Sequence, residues 1–129
     1  MSTESNRDYP STFIADCEKL LKLCDQIIEN RLGLTIGSRR MNGFRELMKE
    51  DKNEEWMIFI GIDSETDHLP IGDEKNHWNK EILKKKEKEL EEIEDHYRPY
   101  ALESLVSIKT KYTKLVEQSA CHNADKSAS

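Results

Sequence analysis

The sequence lacks the features that mark cross-linked, exported or membrane-inserted proteins. Its three cysteines are an odd number without a Cys-x-x-Cys pair, which argues against a disulfide framework or a zinc knuckle. Its first residues contain no apolar signal-peptide core, and no run approaches the roughly 18 apolar residues that a membrane span needs. We therefore expect a cytoplasmic protein with no membrane partner.

The common catalytic and nucleic-acid-binding motifs are missing as well. No glycine-rich elbow surrounds a serine, no glycine-rich loop is suited to hold a phosphate, and no basic and aromatic stripe is typical of an RNA reader. Cys17 and Cys24 lie seven residues apart on a predicted helix face, where thiols act as small apolar fillers. Cys121 has His122 beside it, in a tail that nothing positions. An enzyme is therefore the less favoured class, and no cofactor is expected.

Basic residues are the minority charge. The chain has 26 acidic and 20 basic residues and a net charge of −6, so a basic partner fits better than a nucleic-acid backbone. The excess is concentrated in residues 50–74, which carry nine acids against Lys52 alone, a net charge of −8. The nine acids are Glu50, Asp51, Glu54, Glu55, Asp63, Glu65, Asp67, Asp73 and Glu74.

Apolar residues repeat at three- and four-residue steps along much of the chain, as amphipathic helices require. The first predicted helix begins near residues 11–12 and ends at Gly33, where glycine can adopt the left-handed conformation of a helix cap. A second, shorter helix follows over residues 36–48, and Gly37 and Gly43 permit a close approach of another backbone.

The apolar run of residues 54–62 does not by itself distinguish a buried strand from a buried helix. Because no second convincing strand is available to pair with it, we predict a helix with two acids in its first turn. Residues 63–76 are predicted to form a loop. Helical periodicity then resumes near Trp78, with residues 84–92 as a solvated face, and Pro99 is expected to give two helices or one bent helix.

These segments predict an all-α fold, a compact antiparallel bundle of four or five helices. Residues 1–10 are expected to form a flexible leader, residues 11–118 a single helical domain, and residues 119–129 a disordered tail. The predicted core contains Phe13, Leu20, Leu21, Cys24, Ile27, Ile28, Phe44, Leu47, Trp56, Phe59, Ile60, Ile93, Tyr97, Leu105, Ile108 and Tyr112.

The least ordinary feature of the sequence is the carboxylate-rich turn at residues 63–68. Its alternating acids resemble the first ligands of an EF-hand calcium loop, but His68 occupies the sixth position, where that loop needs glycine. One alternative is a transition-metal site in a small metal-dependent enzyme or metal sensor, because carboxylates and imidazoles are common ligands. Its ligands would be Asp63, Asp67, His68 and His77. Another is an ordinary capped turn.

A further interpretation treats these carboxylates as part of a docking surface for a basic protein. Acidic groups speed association with a basic partner, and an aromatic side chain such as Trp56 or Trp78 adds free energy when it is desolvated. The candidate partner-binding residues are Trp56, Asp63, Glu65, Asp67, His68, Asp73, Glu74, His77 and Trp78.

The stretch of residues 56–70, WMIFIGIDSETDHLP, followed by His77-Trp78 and a long Lys/Glu helix, resembles a group of small bacterial proteins without an assigned activity. The resemblance implies no catalytic residue. In size, acidity and lack of a catalytic constellation, the chain is also similar in type to immunity proteins that neutralise nuclease toxins. The favoured interpretation is a monomeric or dimeric immunity protein whose acidic loop covers the basic active site of a toxin. A helical scaffold that only oligomerises is a further alternative.

Overall fold

Four α-helices and one short 3-10 helix make up the regular structure of the described part of the chain. The computed structural model describes residues 10–69 and 78–128, of which residues 120–128 are described as backbone only. Within these ranges there is no strand, so the predicted all-α fold is confirmed. No helix in them is long and apolar enough to span a membrane. The helices are α1 (Ser11–Ile28), α2 (Leu34–Leu47), the 3-10 helix (Glu54–Trp56), α3 (Met57–Thr66) and α4 (Lys80–Ala128).

The end of α1 differs from the prediction that Gly33 caps it. The left-handed residue is Asn30, with φ of 59°, which asparagine tolerates better than most residues because its short side chain can bond locally. The amide of Arg31 then donates to the carbonyl of Gln26 at 2.9 Å and closes the helix. Gly33 instead has φ of −61° and ψ of 149°, and it immediately precedes α2.

The apolar run that sequence periodicity left ambiguous is helical, as predicted. Its start is fixed by Asn53, whose side chain accepts a hydrogen bond from the amide of Glu55 at 3.0 Å. The prediction that the loop begins at Asp63 is wrong, because α3 continues through Thr66. The buried hydroxyl of Thr66 is accommodated within the helix because it donates back to the carbonyl of Ile62 at 2.7 Å.

A single continuous helix occupies the second half of the chain. α4 has 49 residues and is therefore about 74 Å long at 1.5 Å per residue. Pro99 lies inside it on the exposed side, while Ala101 and Leu105 on the other side are buried and hold the following turns in place. The helix also continues through residues 119–128, where the sequence predicts a disordered tail; these residues contain no glycine or proline to end it.

The core lies where α1, α2 and α3 meet the middle of α4. The prediction that Leu47 belongs to it is wrong, because this side chain at the end of α2 is 56% exposed. Ile60 and Ile93 are half-buried. The buried apolar residues are Cys17, Leu20, Leu23, Cys24, Ile27, Leu34, Met41, Met48, Trp56, Phe59, Ile62, Leu69, Ala101, Leu105, Ile108 and Tyr112.

Gly37 allows α1 and α2 to approach closely, as its position in the sequence predicts. A Cβ atom at this residue would lie 2.6 Å from both Cγ1 and Cδ1 of Ile27, a distance that packed atoms do not adopt. Gly43, by contrast, has nothing within 4 Å of the corresponding position. The close approach therefore depends on one glycine of the pair.

Carboxylates attach α4 to the other helices. The Glu94 side chain of α4 accepts hydrogen bonds from the amide and the hydroxyl of Thr35 at 3.0 and 2.7 Å. Thr35 lies in the first turn of α2, where backbone N–H groups lack partners within the helix and the dipole favours negative charge. Because Gly33 has no side chain to cap α2, Glu94, which is 59 positions from Thr35, supplies the cap.

Glu50 makes a second, buried attachment to α4. Its carboxylate accepts hydrogen bonds from the Tyr112 hydroxyl at 2.6 Å, the Lys111 ammonium at 2.7 Å and the Asn53 amide at 3.3 Å. Burial alone would raise the pKa of Glu50, but these three donors outweigh it and hold the pKa below its ordinary value. Burial, with the bond to Glu50, also raises the pKa of Tyr112.

The substitution Gly37→Ala is expected to lower the free energy of unfolding by about 1–3 kcal/mol, because the new methyl group overlaps a buried isoleucine. Gly43→Ala is the matched control in the same helix. It should raise the free energy of unfolding by up to about 1 kcal/mol, because alanine has a higher helix propensity than glycine. Urea denaturation of both variants measures the difference. Equal effects of the two substitutions would contradict the close approach.

The substitution Glu50→Gln should destabilise the protein by about 1–3 kcal/mol at neutral pH. A carboxylate with a lowered folded pKa stabilises the fold above its unfolded pKa of about 4.3, and this contribution is lost as pH falls through the folded pKa. The gap between wild type and variant should therefore narrow below about pH 4.3 in urea titrations. The exposed neighbour substitution Asp51→Asn serves as control, and a gap independent of pH would refute the assignment.

Candidate functional site

The carboxylate-rich segment lies at the end of α3, beside the first half of α4. Six of the predicted partner-binding residues belong to the described structure: Trp56, Asp63, Glu65, Asp67, His68 and Trp78. The other three, Asp73, Glu74 and His77, lie outside the described residues, so their part in the prediction is not tested.

The two tryptophans have different surroundings. Trp56 is 0% exposed and packs edge-on against Phe59 with 6.4 Å between ring centroids. The prediction that Trp56 anchors a partner is therefore corrected, because its ring is inside the core and has no surface to offer. Trp78 is half-buried and lies two residues before α4, so only this indole is at the surface.

Asp63 faces α2 rather than solvent alone. Arg39 Nε donates to Asp63 Oδ1 at 3.1 Å, and the amide nitrogen of Asn42 lies 3.5 Å from Oδ2. The Arg39 guanidinium also donates to the backbone carbonyl of Thr66 at 3.1 Å, at the unpaired end of α3. Asp63 thus pairs with an arginine 24 residues earlier in the chain, a contact that no local sequence pattern predicts.

Glu65 and Asp67 are the exposed acids of this segment. Successive helical residues are rotated by about 100°, so acids at alternate positions do not share one side as they would on a strand. Glu65 accepts a hydrogen bond from the Tyr97 hydroxyl of α4, which raises the pKa of Tyr97. Asp67 follows the last residue of α3 and is exposed.

His68 connects the same end of α3 to α4. Its Nε2 atom lies 2.8 Å from Oε2 of Glu89, and both side chains are about half exposed. The hydrogen bond from His68 is the main cause that lowers the pKa of Glu89. Together with the bond between Glu65 and Tyr97, this contact fixes α3 against one side of α4.

These contacts bring together two acidic segments that are separate in the sequence. Residues 89–95 of α4 contain five acids and no basic residue, and α3 ends beside them. We call the acidic surface the four carboxylates around this junction: Glu65, Asp67 next to His68, Glu89, and Glu92 one helical turn from Glu89. Sequence reasoning missed the α4 half of this surface because the run of lysines and glutamates was interpreted as a solvated helix face.

The described residues of the alternative metal site, Asp63, Asp67 and His68, do not converge. Asp63 bonds to Arg39, His68 bonds to Glu89, and no group of three or more His, Cys, Asp or Glu side chains within residues 10–69 and 78–119 is close enough to hold a metal ion. Glu65 and His68 have the Glu-x-x-His spacing of some metal-binding helices, yet each is bonded to a different residue of α4. His77 lies outside the described residues.

The two described thiols are part of the core. Cys17 and Cys24 are both 0% exposed, in agreement with their predicted role as apolar fillers. Burial, helped by neighbouring acids, raises the pKa of Cys17 to about 11 and that of Cys24 to about 12. Both are therefore protonated at neutral pH and are poor nucleophiles.

No protein-family model matches this chain, and no curated protein or solved structure matches it either. The resemblance to small bacterial proteins and to immunity proteins therefore stays a prediction made from the residues themselves.

The structure predicts different roles for two neighbouring aspartates. Asp63→Asn removes the charge that pairs with Arg39 and should lower the free energy of unfolding by about 0.5–1 kcal/mol. Asp67→Asn changes the same functional group at an exposed position and should alter the free energy of unfolding by less than about 0.5 kcal/mol. Chemical denaturation of the pair at low salt gives the comparison, and equal losses would show that Asp63 has no special structural role.

Proposed function

We propose that this chain is a cytoplasmic binding protein that docks onto a basic protein through its acidic surface. In its most concrete form it is an immunity protein that covers the basic active site of a nuclease-type toxin. The observation that supports the proposal is that α3 ends beside α4, which brings two acidic segments, the end of α3 and residues 89–95 of α4, close together.

The surface has the physical properties that such docking requires. Glu65, Asp67 and Glu92 are exposed and have no ion-pair partner among residues 10–69 and 78–119. Several carboxylates on one surface sum to a negative potential that attracts a basic partner before contact. The active site of a nuclease is rich in Lys and Arg because it binds phosphates, and carboxylates can occupy the same positions as competitors.

The contacts around the surface support different roles for its residues. The helices that carry the carboxylates are joined by the bonds of Tyr97 and His68, so the surface is formed before the partner arrives. Asp63 contributes by positioning α3 through Arg39. Trp78 is the aromatic side chain available as an apolar anchor.

The test compares two triple variants with the same change in net charge. One carries Glu65→Gln, Asp67→Asn and Glu92→Gln, and the control carries Glu18→Gln, Glu103→Gln and Glu117→Gln at exposed positions elsewhere. The probe is the purified product of the gene adjacent to the one that encodes this chain. Stopped-flow association at several salt concentrations measures the rate constant for each protein.

Wild type and control should associate rapidly at low salt, with a rate that falls steeply as salt is added. The acidic-surface variant should associate about tenfold more slowly and depend less on salt. In cells, the adjacent gene product should arrest growth when expressed alone but not together with this chain. Equal association rates for both variants at low salt would sink the proposal.

A further inference from the structure

A stripe of four charged residues runs along the exposed side of α4. Lys84, Lys88, Glu91 and Asp95 follow one another at steps of four, three and four residues, which return to the same side of a helix that turns by about 100° per residue. All four side chains are exposed, and none has an ion-pair partner among residues 10–69 and 78–119. We call these residues the α4 stripe. Its sign changes once, from two lysines to two acids.

The α4 stripe contains two pairs of like-charged neighbours. Lys84 and Lys88 are four residues apart and repel each other, and so do Glu91 and Asp95. Lys88 and Glu91, three residues apart, attract each other at the centre of the stripe. A partner that places acids beside the lysines and bases beside the acids would relieve the two repulsions.

We propose that the α4 stripe binds the same stripe of a second copy of this chain, with the two helices antiparallel. Reversing one helix places Lys84 opposite Asp95 and Lys88 opposite Glu91, and the twofold axis repeats both pairs. The four ion pairs extend over about 17 Å of helix. A parallel arrangement sets like charges against each other, so the charge pattern specifies both the partner and its direction.

The character of this dimer follows from its chemistry. Exposed ion pairs are individually weak and are screened by salt, so the dimer forms at high protein concentration and low ionic strength. The stripe lies on a different side of α4 from Glu89, which faces α3. Self-association and the proposed docking onto a basic protein therefore use different residues of α4, and the two sites adjoin where Glu92 lies one turn from Lys88.

Sedimentation equilibrium of the full chain tests the inference. At about 20 mM salt the average mass should rise with concentration from 15.1 kDa towards twice that value, and at about 500 mM salt it should stay at the monomer value. The double variants Lys84→Glu/Lys88→Glu and Glu91→Lys/Asp95→Lys should each associate at least about tenfold more weakly at low salt. The control Lys19→Glu/Lys22→Glu on α1 makes the same charge change as the first variant. It should dimerise like wild type, apart from the small effect that its changed net charge has on the overall repulsion between two copies.

Complementation gives the decisive measurement. An equimolar mixture of the two stripe variants should form a heterodimer, and a chain carrying all four reversals should dimerise with itself as wild type does. A wild-type chain that stays monomeric at low salt would overturn the proposal. The proposal would also be overturned if the α1 control dimerised as weakly as the stripe variants, or if the mixture of stripe variants remained monomeric.

Discussion

Carboxylate contacts attach α4 to each of the other helices, and the arrangement of the molecule depends on them. Asp25 of α1 pairs with Lys109 at 2.6 Å, and Glu94 caps α2 through Thr35. Glu65 at the end of α3 bonds to Tyr97, while Glu50 binds two residues of α4 in a buried site. Two further contacts join Glu55 to Ser107 and His68 to Glu89. Apolar burial supplies most of the favourable free energy of folding. The carboxylate contacts determine the positions along α4 at which the other helices pack.

Because carboxylates make these internal contacts, the net charge alone does not describe the charge of the protein surface. An excess of 26 acids over 20 bases suggests a protein covered in negative charge, but many of the carboxylates are occupied by donors within the fold. Exposed acids without such donors lie on several parts of the described structure, among them Glu18 on α1, Asp67 after α3 and Glu92 on α4. Asp63, the first residue of the notable turn, pairs with Arg39 and does not belong to the proposed docking surface.

Local periodicity predicted the helices well because the spacing of apolar residues is set by the helix itself. The helical state of residues 57–62 followed from the lack of a pairing strand, and Gly37 was recognised as a point of close approach. The end of α3 was misplaced because the short polar side chains at residues 63–66 are common in both turns and helix ends. The sequence does not predict that Glu94 caps α2, because Glu94 and Thr35 are 59 positions apart and neither has a distinctive neighbour. For the same reason, no sequence pattern predicts that the acids of residues 89–95 lie beside the end of α3.

The separation of charge along α4 gives the molecule a direction. Residues 80–88 hold five lysines against two glutamates, whereas residues 89–95 hold only acids among their charged residues. A positive end followed by a negative segment gives residues 80–95 an electric dipole moment, and a charged object nearby exerts a torque on it. A basic protein would therefore rotate this molecule during approach, turning the lysine-rich end of α4 away and the carboxylates towards itself. Orientation would begin at distances of about one Debye length, roughly 8–10 Å, before any pair of side chains touches.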